Sequence, residues 1–322
     1  MRGVDLARWR FDWDLTFAAV VAHHDGTVLH RYGGRDVRGT DPWLSSASLV
    51  RFLEAGLAAH GRHRPRANDR EPVFLEDVPS YADKDKGECI HCHSVFTSLR
   101  SEAIEAERWR ADDLWVYPPP SRIGLDLDRD DQQLVTAVEE GSLAAAAGVV
   151  VGDRVIRVGE VPVATASDLM HALHEAPAEG GALRLQLARG VETLHLEPGW
   201  KRGTPRSFAW RPSKWGLLPA PGFGGPQLGA VELVRLGLPA DAFAFRVNYV
   251  VTWGPNRHLG EAARRRGLRK DHIVLGTSAR RDFDSVEHFH AWWRLTLQAD
   301  EDLELILWQD GAERRLPWRV IE

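Results

Sequence analysis

At 322 residues and 43% hydrophobic content, the chain is long enough to bury two or three separate cores. Its formal charge of −5 comes from 41 basic and 46 acidic residues mixed along the sequence, so it lacks the basic stripe that a nucleic-acid partner requires, and Arg264-Arg265-Arg266 reads as a solvated helix end. Only 2 cysteines stand against 13 tryptophans, which excludes a disulfide framework; no run reaches the ~20 apolar residues of a membrane span, and MRGVDLARWRFDWD has no apolar signal-peptide core. Taken literally, the chain is expected to be soluble and unexported.

The first elements are an apolar run from Thr16 to His23, a turn at Asp25-Gly26 and a second strand from Thr27 to Tyr32. A helix follows from Ser45 to His60, with Leu49, Phe52, Leu53 and Leu57 at helical spacing. Two strands and one helix bury too little to stand alone, so this unit is expected to pack on another domain. Its order, in DLTFAAVVAHHDGTVLHRYGG and then SLVRFLEAGLAAH, resembles the C-terminal half of a thioredoxin-like fold. The resemblance implies a partial thioredoxin-like α/β unit over residues 1–62; no redox cysteine pair or cis proline precedes these strands, so it carries no redox role.

Residues 63–119 are expected to hold a linker and a helical segment. The stretch 61–88 is polar and turn-rich and reads as a linker over the surface. Cys89-Ile90-His91-Cys92-His93 follows at the start of a helix from Phe96 to Trp109, which Tyr117-Pro118-Pro119-Pro120 stops.

Cys-x-x-Cys-His is the strongest chemical motif in the chain. Two thiols one helical turn apart can add across the vinyl groups of haem while the adjacent imidazole ligates the iron, so Cys89, Cys92 and His93 fit haem c attachment. A zinc or copper site from Cys89, His91, Cys92 and His93, a dithiol redox pair and an inert pair use the same residues. Haem attachment implies the periplasm or cell envelope, although this chain shows no signal peptide; the alternative is cytoplasmic. His23, His24 and His63 are candidate sixth ligands, whereas Met170 reads as core packing. Phe96, Trp109, Trp115 and Tyr117 could cover a macrocycle or simply pack.

From Ile123 the pattern changes to short strands at Ile123–Leu127, Leu134–Val138 and Arg154–Val158, a short helix at Ser142–Ala147, a second helix at Ser167–His174, and a closing pair at Leu183–Leu187 and Thr193–Leu196. The order repeats about 118 residues later: Phe245–Val251, a helix ending at Gly267, Ile273–Leu275, a helix at Val286–Thr296, then Leu303–Leu307 and Glu313–Leu316. GSLAAAAGVVVGDRVI and SDLMHAL resemble bacterial PDZ modules. That resemblance implies a domain at 120–200 and a bridging loop with a degenerate second domain over 201–322, with a peptide groove in the first lined by Ile123, Gly124, Leu125, Leu127, Leu169 and Leu173. The second departs from the pattern, with Lys270-Asp271 in place of a Gly-Asp turn and Trp292-Trp293 in its groove helix. Trp200, Trp210 and Trp215 in the bridging loop are expected to be buried.

The full order resembles a bacterial, planctomycete-type family combining a thioredoxin-like domain, a Cys-x-x-Cys-His segment and PDZ domains. The fold class expected is mixed α/β and all-β multidomain, a partial thioredoxin-like unit followed by two tandem PDZ-like domains. The expected function is an envelope-associated haem c protein whose PDZ modules dock a protein or peptide partner; the alternative is a PDZ adaptor with a zinc, copper or dithiol site. Neither Gly-x-Ser-x-Gly nor His-Glu-x-x-His is present, so enzymatic action would have to come through haem, metal or thiol. Oligomeric state is left open.

Overall fold

The structure is a computed structural model that describes residues 3–64, 71–82, 92–254 and 256–322. Its contacts divide the chain into two compact units, Met1–Gly203 and Thr204–Glu322.

Unit 1 opens with an antiparallel hairpin of β1 (Ala18–Ala22) and β2 (Val28–Gly33). Helix α1 (Ser46–Arg62) starts at Ser45, whose hydroxyl accepts from the Ser48 amide and satisfies one donor of the first turn. The expected apolar face of α1 is corrected: only Phe52 of the four named residues is buried, alongside Ser48 and Gly56, while Leu49, Leu53 and Leu57 are exposed. Small residues at 48 and 56 let the helix lie close against its neighbours, and this set, spaced by four, defines the inner face.

The stretch expected as a surface linker also carries core. Leu75, Val78 and Tyr81, running into the short α2 (Pro79–Ala82), are buried with Leu6, Trp13 and Val95 of α3 (Ser94–Glu105). The Leu6 amide donates to the Val73 carbonyl at 2.7 Å, so the N-terminal segment is tied along this stretch. Three large apolar side chains at intervals of three outweigh its polar composition.

The rest of unit 1 pairs β3 (Leu125–Leu127) with β4 (Val135–Val138), then adds α4 (Leu143–Ala146), β5 (Val155–Val158), β6 (Val161–Pro162), α5 (Ala166–Glu175), β7 (Gly181–Leu187) and β8 (Gly190–Leu196). The last four strands form an antiparallel sheet in the order β6-β5-β7-β8. The strand expected from Ile123 begins at Leu125 instead, because Pro120–Ile123 is a 3-10 turn closed by Gly124 at φ +80°. A Cβ there would strike the Ser142 side chain, so the turn needs glycine for space as well as for backbone hand.

Unit 2 contains α6 (Pro205–Phe208), β9 (Phe223–Gly224), α7 (Ala230–Arg235), β10 (Phe245–Arg246), β11 (Tyr249–Val250), α8 (Arg257–Arg265), β12 (Ile273–Thr277), α9 (Val286–Thr296), β13 (Asp302–Gln309) and β14 (Ala312–Arg319). Its main sheet runs β10-β12-β13-β14, and β9 pairs with β11. The expected strand Phe245–Val251 is two strands in two sheets: the Val247 amide bonds His272 O on one side and the Asn248 amide bonds Gly224 O on the other. The core is aromatic, with Phe223, Phe245, Phe289, Trp293 and Trp318 at centroid separations from 5.3 to 6.4 Å. Among the described residues no helix is long and apolar enough to cross a membrane.

Candidate functional site

Cys92 and His93 stand at the start of α3. The Val95 amide donates to Cys92 O at 3.0 Å, and His93 is the N-cap residue. Cys92 is half-buried against the cluster of Leu6, Trp13, Leu75, Val78, Tyr81 and Val95. Cys89 and His91 lie outside the described residues. Phe96 packs against this cluster and against the neighbouring core that holds Tyr117, its ring 6.5 Å from the Tyr117 ring. The histidines considered as sixth ligands are gathered with one another: His23 lies 4.1 Å from His24 and 4.3 Å from His63 by ring centroids. Met170 is buried in the core around α5, as packing requires.

The groove residues of unit 1 do converge between β3 and α5. Ile123, Leu125, Leu127, Leu169 and Leu173 are all 4% exposed or less, within one apolar cluster that also contains Trp43 at 1%. The chain around Trp43 is tied across the β3 end of this cluster. Gln132 Nε2 donates to Trp43 O at 2.7 Å, Arg129 Nε donates to Leu44 O at 3.0 Å, and Arg38 Nη1 meets Asp126 at 3.2 Å.

Helix α5 is equally covered on its far side. Asp168, fully buried in its first turn, lies 2.8 Å from His30 Nδ1 and accepts from the Arg31 amide at 2.8 Å and the Ala164 amide at 3.1 Å, while the Thr165 hydroxyl donates to Arg31 O. Tyr117 stacks on His171 and His174 at 6.2 and 4.2 Å, and burial raises its phenol pKa. Every residue from Ala166 to Leu173 is buried, so two turns are enclosed around their circumference. A surface helix ordinarily leaves a polar face in water. Trp43, His30 and Gln132 were not singled out in the sequence, and Asp168 stood there only as a member of the groove-helix motif, since contacts spanning more than 80 residues leave no periodic trace.

Unit 2 has an open cavity beside α9 and the β9–β11 pair. It encloses about 350 Å³ and is lined by Trp215, Phe223, Tyr249, Trp253, His290 and Arg294 among others. Trp215 and Trp253 are 44% and 60% exposed, so Trp215 corrects the expectation of burial that Trp200 meets in unit 1. Arg294 Nη1 donates to His290 O at 3.1 Å and to His290 Nδ1 at 3.3 Å, and its guanidinium lies 4.9 Å from the Trp215 ring centre. Burial first, then Arg294 and Lys214, hold the His290 pKa well below its ordinary value. The imidazole is therefore neutral, and because Nδ1 accepts from arginine, Nε2 carries the proton. Nε2 and Arg294 Nε are both buried and have no hydrogen-bond partner among the described residues. Arg294 is pushed down to about 10 by burial and remains charged at neutral pH. A Cβ on Gly224 would stand 3.0 Å from His290 Nε2 and against the Tyr249 hydroxyl, so the bare glycine keeps this corner open. The cavity thus joins aromatic walls to N–H donors that lack acceptors, a combination suited to an extended apolar group ending in a carbonyl or carboxylate.

No curated protein matches the chain. Residues 121–197 match the PDZ domain model, so the part of unit 1 that holds β3, α5 and the enclosed groove is a PDZ domain, a protein-interaction module.

Proposed function

We propose that the chain is a peptide-docking protein with two PDZ-like modules in tandem, the first closed on the chain's own N-terminal segment and the second presenting the working groove. The observation that carries this reading is the pair of donors, His290 Nε2 and Arg294 Nε, that have no partner among the described residues beside the aromatic cavity of unit 2. Strand β9 pairs with β11 next to α9 as β3 pairs with β4 next to α5, which supports a PDZ-like reading of unit 2. The occupant is the free C-terminus of a partner with an apolar last residue: the side chain enters among Trp215, Phe223 and Trp253, and the carboxylate accepts from the donors. The test is titration of the full chain with such peptides, read by tryptophan fluorescence, against the same peptides amidated at the C-terminus. The reading expects at least about tenfold weaker binding on amidation and loss of binding in Gly224→Ala. Equal binding of both peptide forms, or undiminished binding in Gly224→Ala, would refute it.

A second reading concerns the cysteine segment. We propose haem c held by Cys89 and Cys92 through thioethers, with His93 as an axial ligand; the half-buried position of Cys92 among apolar and aromatic side chains supports it. The haem would supply electron transfer or small-ligand binding, the PDZ-like modules would bring the redox partner, and the protein would work in the periplasm or envelope. Zinc, copper or dithiol chemistry uses the same residues. A reduced-pyridine spectrum with parallel metal analysis, on protein exported in cells competent for haem attachment, decides among them: a covalent haem signal lost in His93→Ala or Cys92→Ser preparations supports haem, and its absence moves the pair to metal or thiol chemistry.

A further inference from the structure

The hairpin turn after β1 and the last turn of α1 bring five potential ligands together. His23, His24 and Asp25 come from the turn; His60 and His63 come from the helix end. The rings of His24, His63 and His60 lie 4.1, 4.3 and 4.7 Å from that of His23 by centroid. The Asp25 carboxylate reaches both sides, with Oδ2 at 2.9 Å from His63 Nε2 and Oδ1 at 3.5 Å from His23 Nδ1. Donor atoms of His23, Asp25 and His63 all lie within 4.8 Å of one another. His23 Nδ1 is buried and forms no hydrogen bond within the described residues.

We propose that His23 Nδ1, the Asp25 carboxylate and His63 Nε2 form a binding site for one divalent transition-metal ion, with His60 or His24 available as a fourth ligand. The imidazoles of His24, His60 and His63 crowd that of His23 and would repel it when charged, whereas lone pairs converging on a cation are mutually satisfied. A tetrahedral ion with bonds of about 2.0–2.1 Å needs its ligands about 3.3 Å apart, so the observed separations call for small side-chain movements and no refolding. Imidazole with one carboxylate suits zinc, copper(II), nickel or cobalt(II) and disfavours magnesium and calcium, which prefer all-oxygen sites. The backbone holds the turn half of the site: the His23 amide donates to Thr27 O at 2.9 Å, and the Thr27 amide donates to Asp25 Oδ1 at 2.8 Å. A bound ion would staple the end of α1 to the hairpin. The site shares no residue with the cysteine segment or the unit 2 cavity.

The experiment uses the full chain, free of any affinity tag, with Cys89→Ser and Cys92→Ser to remove thiolate ligands. Titration with cobalt(II) is expected to give one equivalent bound, with visible d–d absorption, no thiolate charge-transfer band, and displacement by zinc. Because outer partners of metal ligands alone are worth about 10–100-fold in affinity, His63→Gln and His23→Gln are each expected to weaken binding by about 100-fold or more, while exposed His195→Gln leaves it unchanged. Zinc should also raise the melting temperature of the parent chain, reversibly with chelator, a readout independent of any variant's folding. No bound cobalt in the cysteine-free chain, no zinc-dependent shift, or binding undiminished in the His23→Gln, His63→Gln double variant each overturns the proposal.

Discussion

Helices α5 and α9 are both largely buried, yet α5 is enclosed on all sides and α9 borders a cavity. The difference begins at the third residue of each. In α5, capped by Thr165, that residue is Asp168, whose carboxylate lies 2.8 Å from His30 Nδ1 and accepts the amide of Arg31. In α9, capped by Ser285, it is His288, which pairs with Asp284 of its own entry loop at 3.1 Å. A buried acceptor at the mouth of a helix recruits a passing chain, whereas a side chain satisfied locally recruits nothing. Asp168 thereby ties α5 to the chain around Arg31, whereas His290 and Arg294 of α9 line an open cavity.

The sharpest way to break this comparison is to remove the plug. Trp43→Ala deletes one of the largest fully buried side chains and should destabilise unit 1 by about 4 kcal/mol; denaturant unfolding measures this, and a loss below about 1 kcal/mol would mean that Trp43 does not seal the groove. Asp168→Ala strips the acceptor from His30 and from the amides of Arg31 and Ala164, and a loss of about 3 kcal/mol is expected by the same measurement.

Unit 2 is tested through pH. The unfolded imidazole of His290 takes up a proton near its ordinary 6.5, but the buried folded one resists it, so unfolding binds a proton as pH falls. Stability is full above about 6.5 and declines below it, by at most about 1.4 kcal/mol per pH unit for one group. His272 and His288 are shifted the same way by burial, so the diagnostic quantity is the slope that His290→Gln removes between pH 6.5 and 5; identical slopes in parent and variant would contradict a buried neutral His290. The smallest effect belongs to Arg38→Ala, which breaks contacts to Asp36 and the half-exposed Asp126. Less than about 1 kcal/mol is expected in unit 1 unfolding, because Trp43 rather than surface charge holds the segment.

Sequence periodicity reads local features well here. Helix α9 spans Val286–Thr296 as expected, and five of the six residues named from the PDZ resemblance, Ile123, Leu125, Leu127, Leu169 and Leu173, share one apolar cluster around β3 and α5. What covers them is not legible, because Trp43 stands in DPWLSS with no pattern around it and meets its partners across some ninety residues of chain. Apolar spacing misleads on α1, where Leu49, Leu53 and Leu57 look like a core face but glycine and serine positions set the closer contact. The cavity of unit 2 is hidden for a related reason: His290 and Arg294 read as ordinary members of an amphipathic helix, and the glycine that stands against His290 Nε2 lies more than sixty residues away in the chain. The His23, Asp25 and His63 cluster joins a turn to a helix end 38 residues on, a spacing that matches no local motif.

The most direct measurement is amide hydrogen exchange on the full chain with and without a C-terminal peptide ending in an apolar residue. The account predicts protection confined to residues 222–224, 249–251 and 286–294, with no change at 123–127. Protection at 123–127 and 166–173, accompanied by faster exchange at 36–44, would show that the first groove opens to ligand and would contradict the assignment of docking to unit 2.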